Sequence, residues 1–277
     1  MSTSDMPIWI PEPWLSRPPS HLLIVAHGGS VNGLSFGHLA RCKIVYQTLS
    51  SKFGTRCKFI SRSYPEGIDY LKTHSLDHEP IPLRSSSKEE CSYLIQTIVS
   101  SDPDWVLIDS PLSELPASFY SKLRQSQVKV AYLDDCNFSH PQVDIYLNSS
   151  ILAEEKMLER KNNTQYLLGP RYLIMPEAPF PTMETHGGRD AGHKVVTLSF
   201  GGSDPCGYTA KALSAIRSHL PPECKIRAIL GPGFQLSRAF ETACEGFSER
   251  VLEIIRNPKE PYAYFLDSAL VICAGGR

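Results

Sequence analysis

A few short stretches hold most of the residues that could do chemistry. Gly33-Leu34-Ser35-Phe36-Gly37-His38-Leu39-Ala40-Arg41 sets an imidazole and a guanidinium three residues apart, on one face of a helix. A neutral His38 there can take a proton from water, and the positive end of a helix favours that neutral form by lowering the imidazole pKa. Arg41 can pair with a phosphate or orient a carboxylate. An ordinary surface histidine at a helix start uses the same residue types. The spacing departs from G-x-G-x-x-G and gives little support to a dinucleotide site.

Phe200-Gly201-Gly202-Ser203-Asp204-Pro205 is the second such stretch. Two glycines after a buried strand let the backbone turn sharply and approach a ligand closely. Ser203 or Asp204 can cap the following helix, and Pro205 suits its first turn. Free amides at a positive helix end bind a pyrophosphate, although a plain capped turn reads the same way. Asp109 and the pair Asp134-Asp135 each end a strand, the place where an open α/β sheet receives its ligand. They can orient His38, bind sugar hydroxyls, or simply form loops. His74 and His78, with Asp77 and Glu79, read as a solvated loop, because spacing fixes no third metal ligand; no metal is expected.

These residues need elements to position them, and the pattern supplies strands alternating with amphipathic helices. Leu22–Ala26, Lys58–Ile60, Trp105–Asp109, Val128–Asp134 and Val143–Leu147 read as strands. Gly37–Phe53 and Ser87–Ser100 read as helices, and Phe119–Arg124 lies within a third. After a pause through Gly169-Pro170 and a proline-rich stretch, strands are predicted at Val195–Phe200, Ile226–Leu230, Val251–Ile255 and Leu270–Cys273. The fold class is therefore α/β with mainly parallel sheets in two halves joined around residues 170 to 190. The expected boundaries are an extension over 1–20, a first domain over 21–175 and a second over 176–277.

The chain has 277 residues, 42% hydrophobic and 21% charged, with a formal charge of −1. That composition is globular and offers no electrostatic footprint for nucleic acid or an anionic membrane. The eight cysteines are scattered without a C-x-x-C pair, which points to a reduced, cytoplasmic protein. The proline-rich start, with Trp9 and Trp14, has neither a basic end nor a continuous apolar core. It reads as a poorly ordered or surface-draped extension, neither a signal peptide nor a membrane span.

Taken in order, Ser35-Phe36-Gly37-His38 with Arg41, Ile108-Asp109, Asp134-Asp135, Gly169-Pro170-Arg171-Tyr172 and Ser199 to Pro205 resemble the UDP-sugar hydrolases of the pseudaminic acid pathway. The resemblance runs from about Leu22 to the last residue. That family is related to glycosyltransferases of GT-B type, with two Rossmann-like domains facing across a cleft, including the enzyme that adds GlcNAc in peptidoglycan synthesis. The resemblance implies hydrolysis of a UDP-linked diacetamido-trideoxy sugar, by C–O cleavage with inversion, without metal or cofactor. His38 would be the base. Gly201, Gly202 and Ser203 would hold the diphosphate beside Asp204, and Gly37, Arg41, Asp109, Asp135, Gly169 and Arg189 would line the substrate.

Two departures from the family bear on this. An arginine is usual where the first strand ends, and here His27 or a neighbour takes its place, altering contacts near the sugar. The chain stops at Ala274-Gly275-Gly276-Arg277, where the family continues into a loop and helix that contact the nucleotide. An incomplete second domain is expected on that ground, in a partial sequence or a decayed copy. Two alternatives stand beside hydrolysis: transfer of the sugar to an acceptor on the same architecture, and UDP-sugar binding without catalysis. The lack of a long apolar or strongly basic membrane-facing segment favours hydrolysis over transfer and argues against membrane insertion.

Overall fold

Contacts divide the chain into two compact units, Met1–Gly28 with His38–Glu177 and Gly29–Gly37 with Ala178–Arg277. The computed structural model describes residues 7–29, 35–83, 87–110, 115–135, 142–156, 160–175, 194–258 and 261–274.

In the first unit, seven strands form one sheet: β1 (His21–Ala26), β2 (Arg56–Arg62), β3 (His78–Ile81), β4 (Trp105–Asp109), β5 (Lys129–Leu133), β6 (Ile145–Asn148) and β7 (Gln165–Leu168). Their order is β3-β2-β1-β4-β5-β6-β7, and every neighbouring pair is parallel. Parallel strands require crossovers that cover both faces of the sheet. Accordingly every residue of β1 and β4 is buried. Helix α2 (Gly37–Phe53) turns Leu39, Cys42, Val45 and Leu49 inward at helical spacing. Helices α4 (Ser87–Ser100) and α5 (Ala117–Gln125) share a core with Leu23, Val25, Val106 and Ile108, into which Leu94, Ile98, Phe119 and Leu123 pack.

Residues 7–17 depart from the expected draped extension. They hold a short helix, α1 (Glu12–Ser16), and bury Trp9, Ile10 and Trp14 to 3%, 3% and 2% exposure. The Trp14 ring meets Trp105 of β4 edge-on, with centroids 5.6 Å apart. Trp9 and Trp14 surround a small void together with Val45, Leu107, Ala131 and Leu133. The physical reason is coverage: α2 leaves part of this sheet face open, and the indoles close it.

Two further differences lie on either side of that core. The stretch expected as a solvated histidine loop instead ends α3 (Pro65–Thr73) and opens β3. There the half-buried His74 and His78 place Nδ1 on the carbonyls of Tyr70 and Leu76 at 2.9 and 2.8 Å. Strand β7, which the apolar pattern does not announce, pairs with β6 and is followed by Gly169. A one-turn helix, α6 (Ala153–Lys156), lies between β6 and β7.

The second unit has a four-stranded parallel sheet of β8 (Lys194–Ser199), β9 (Cys224–Leu230), β10 (Leu252–Arg256) and β11 (Ser268–Cys273), ordered β10-β9-β8-β11. Helices α7 (Tyr208–Ile216) and α8 (Arg238–Cys244) join a core of Leu198, Leu213, Ile226, Ala228, Leu230 and Phe240. Ser237 caps α8, its hydroxyl accepting the Phe240 N–H at 3.2 Å. The opposite sheet face carries Arg227, paired with Glu253 at 2.9 Å and Asp267 at 2.7 Å. Each sheet reverses strand order once, between β1 and β4 and between β8 and β11. Those reversals are where open parallel sheets form ligand crevices.

Candidate functional site

At the β1/β4 reversal, β4 ends on Asp109 and the first turn of α2 lies above it. His38, Arg41 and Cys42 are spaced three and four along its first two turns, so they share a face. All three reach Asp109. His38 Nδ1 lies 2.6 Å from Oδ1; Arg41 donates to Oδ1 through Nη2 at 2.5 Å and to Oδ2 through Nε at 2.9 Å. The Cys42 thiol donates to Oδ2 at 3.4 Å. Arg41 Nη1 also donates to Asp135 Oδ1 at 2.6 Å. Asp109 is 1% exposed, whereas the His38 side chain keeps 20%.

The electrostatics follow from this geometry. Burial by itself raises the Asp109 pKa, but the Arg41 charge and the bonds from His38 and Arg41 hold it well below the usual carboxylate range. Burial lowers the His38 pKa, and the hydrogen bond and charge of Asp109 outweigh it, so the net direction is up. The expectation of a helix-lowered pKa is thereby corrected: a carboxylate in hydrogen-bond contact outweighs the partial charge of a helix end. With Nδ1 committed to Asp109, Nε2 is the nitrogen left to take a proton, and the carboxylate strengthens it as a base. Arg41 spends its donors on two carboxylates, so of its two expected roles the structure displays orientation.

Neighbouring groups hold this cluster in place. His27, directly after β1, is 1% exposed and accepts the Arg62 amide at Nδ1 over 3.2 Å. Burial, then Arg62 and His38, push its pKa down to about 3, so a neutral ring stands at the end of β1. Buried Asp134 accepts the Asp135 amide at 2.8 Å, the Tyr146 hydroxyl at 2.5 Å and Asn148 Nδ2 at 3.4 Å. These bonds fix the turn from which Asp135 reaches Arg41. Gly169 sits at φ 96°, its amide on the Asn148 carbonyl at 2.9 Å. It ends β7, three places from β4 in the sheet, so the structure does not bring it to His38. At Gly37 a Cβ would meet nothing within 4 Å.

In the second unit, the loop at the β8/β11 reversal is built from backbone. A Cβ on Gly231 would fall 2.5 Å from both Gly202 Cα and Gly202 O, and 2.6 Å from Gly201 O. The Gly233 amide donates to Gly202 O at 2.8 Å. The loop after β9 thus backs the loop after β8 at a distance only glycine permits. Sequence reasoning missed Gly231 and Gly233; the available signal was Gly-Pro-Gly directly after a strand. Helix α7 starts at Tyr208, later than expected, with Pro205 outside it. Asp204 still caps it, its two oxygens accepting the Tyr208 and Thr209 amides at 2.8 Å each. Its carboxylate therefore occupies the end of α7.

Arg189 lies outside the described residues. Among the described residues no group of three His, Cys, Asp or Glu is arranged to hold a metal ion, and no helix is long and apolar enough to cross a membrane.

No family model matches the chain. An uncharacterized protein of Methanocaldococcus jannaschii is 26% identical over 190 residues, which are 66% of this chain and 39% of that protein. The chain thus matches less than two thirds of that relative's length. Among solved structures, Anabaena HepE in complex with UDP-glucose aligns with a TM-score of 0.56 at 11% identity, over 91% of this chain and 72% of that one. Acinetobacter baumannii MurG aligns with a TM-score of 0.52 at 11% identity, over 92% and 73%. These likenesses establish the class: a GT-B-like α/β fold with parallel sheets.

Proposed function

We propose that the protein is a nucleotide-sugar hydrolase, releasing UDP and free sugar from a UDP-linked diacetamido-trideoxy sugar. The observation that carries this reading is the His38–Asp109 contact of 2.6 Å at a strand-order reversal, which commits Nδ1 and leaves Nε2 as base. Nε2 takes a proton from water as its oxygen attacks the anomeric carbon. The bond from that carbon to the phosphate oxygen breaks, and UDP leaves with the electron pair, inverting the centre.

Charge supports the same division of labour. One guanidinium against two carboxylates leaves a single negative charge around neutral His38. That charge suits the positive character developing on a sugar ring at the transition state and disfavours a diphosphate beside it. The diphosphate is assigned instead to the amides of Gly201, Gly202 and Ser203. The likeness to HepE, solved with UDP-glucose, supports a UDP-sugar as ligand.

The test is UDP release from the UDP-diacetamido sugar with no acceptor present, for the native chain and for His38→Ala. Release that falls by roughly 10²–10⁴ in a folded variant is the expected result. Release that requires an added acceptor would redirect the reading to sugar transfer. UDP binding without any release would leave a binding protein.

A further inference from the structure

Asp109 carries four donor contacts on its two oxygens, and one of them belongs to a residue that the proposed reaction does not use. Oδ1 receives His38 and Arg41; Oδ2 receives Arg41 and the Cys42 thiol at 3.4 Å. A carboxylate has about four lone-pair sites, so the set is complete. We infer that Cys42 is a positioning residue: its S–H is the fourth donor, which fixes the Asp109 carboxylate and tempers its hold on the His38 proton. The inference rests on His38 acting as the base.

Three observations support a thiol that serves as a fixed donor, not as a nucleophile. Cys42 is 0% exposed, on the buried face of α2, where no reagent reaches it. Burial and then the Asp109 charge push its pKa well up, so it remains protonated and able to donate. Its spacing of four from His38 and one from Arg41 puts all three donors on one carboxylate, so the turn grips Asp109 as a unit.

The electrostatic consequence has a definite sign. Removing a donor leaves more charge on Asp109, which binds the His38 proton more strongly and raises the imidazole pKa further. The other groups facing this pair stay in place: Arg41 on α2, Asp135 after β5, neutral His27 after β1 and the Tyr132 phenol on β5. A shift seen on changing Cys42 therefore has one source.

The experiment is an NMR titration of His38 in the full chain, its signal assigned by loss in His38→Ala. Cys42→Ala is expected to raise the His38 pKa by about half a unit, the scale of one weak hydrogen bond. Cys42→Ser, which keeps a donor, is expected to return it toward the native value. A folded Cys42→Ala protein with an unchanged titration would overturn the inference, as would equal shifts in both variants, which mark a packing effect. Should the alanine variant not fold, the infrared S–H stretch of the native protein decides. In the native-minus-Cys42→Ser difference spectrum, a lost band lowered by a hydrogen bond supports the inference; a lost band at the free-thiol frequency overturns it. None of these readouts depends on turnover, so a failure of the inference is distinguishable from a failure of the proposed hydrolysis.

Discussion

In the first unit, Asp109 is gripped by the side chains of His38, Arg41 and Cys42, whereas in the second, Gly201 and Gly202 meet Gly231 with no side chain between them. The two arrangements fail for different reasons. A cluster of paired charges tolerates small shifts of backbone but not the loss of a partner, because the remaining charge is left buried. A loop backed by glycines has no charge to lose, yet a single added methyl group has nowhere to go.

Substitutions can break or sharpen that contrast, the largest effect first. Asp109→Asn removes the carboxylate that sets the His38 tautomer, and UDP release should fall by about 10²–10⁴. Its residual pH profile should show the acid limb at lower pH, since burial then acts on His38 without Asp109. The linked stability effect has the opposite sense from a carboxylate's. His38 has a raised pKa, so its pairing stabilises the native fold fully below the ordinary imidazole value and loses that effect as pH rises through the raised one. Urea titrations of native and Asp109→Asn protein at several pH values measure the difference.

Arg41→Met strands Asp109, 1% exposed, without its cation and should cost about 3–5 kcal/mol of unfolding free energy by urea titration. A loss near zero would show that the cluster is less tightly coupled than its distances indicate. Gly231→Ala adds a methyl 2.5 Å from Gly202. Strain of about 1–3 kcal/mol should push the β8 loop aside and weaken UDP binding by calorimetry roughly tenfold. Unchanged affinity would separate that loop from the nucleotide.

Asp204→Ala is the smallest change. Losing the α7 cap should cost about 1 kcal/mol of stability while UDP affinity stays nearly constant. An affinity loss as large as in Gly231→Ala would return Asp204 to the ligand.

Much of this architecture was legible where apolar periodicity was long. The predicted helices at Gly37–Phe53 and Ser87–Ser100 and the strand Trp105–Asp109 match α2, α4 and β4 end to end. The meeting of His38, Arg41 and Asp109 was legible only as a list of candidates, because contact across β4 and α2 is a tertiary fact. Strand β3 escaped because His78-Glu79-Pro80-Ile81 has no apolar run, and only pairing with β2 makes it a strand. The sequence left the cap of α7 open between Ser203 and Asp204 with Pro205 in the first turn; the helix starts three residues later, at Tyr208, with Gly207 at its N-cap and the Asp204 carboxylate reaching its first two amides. Gly231 was missed because its requirement is set by Gly202, which is distant in sequence.

The burial of Trp9 and Trp14 against β4 has a practical corollary. The chain has three tryptophans, and the third, Trp105, lies in the same core at 6% exposure. Tryptophan fluorescence, excited selectively, therefore watches the seven-stranded sheet alone and is blind to the glycine-backed unit. Comparing its melting curve with that from circular dichroism, which sees both sheets, would tell whether the two units lose structure together or in turn.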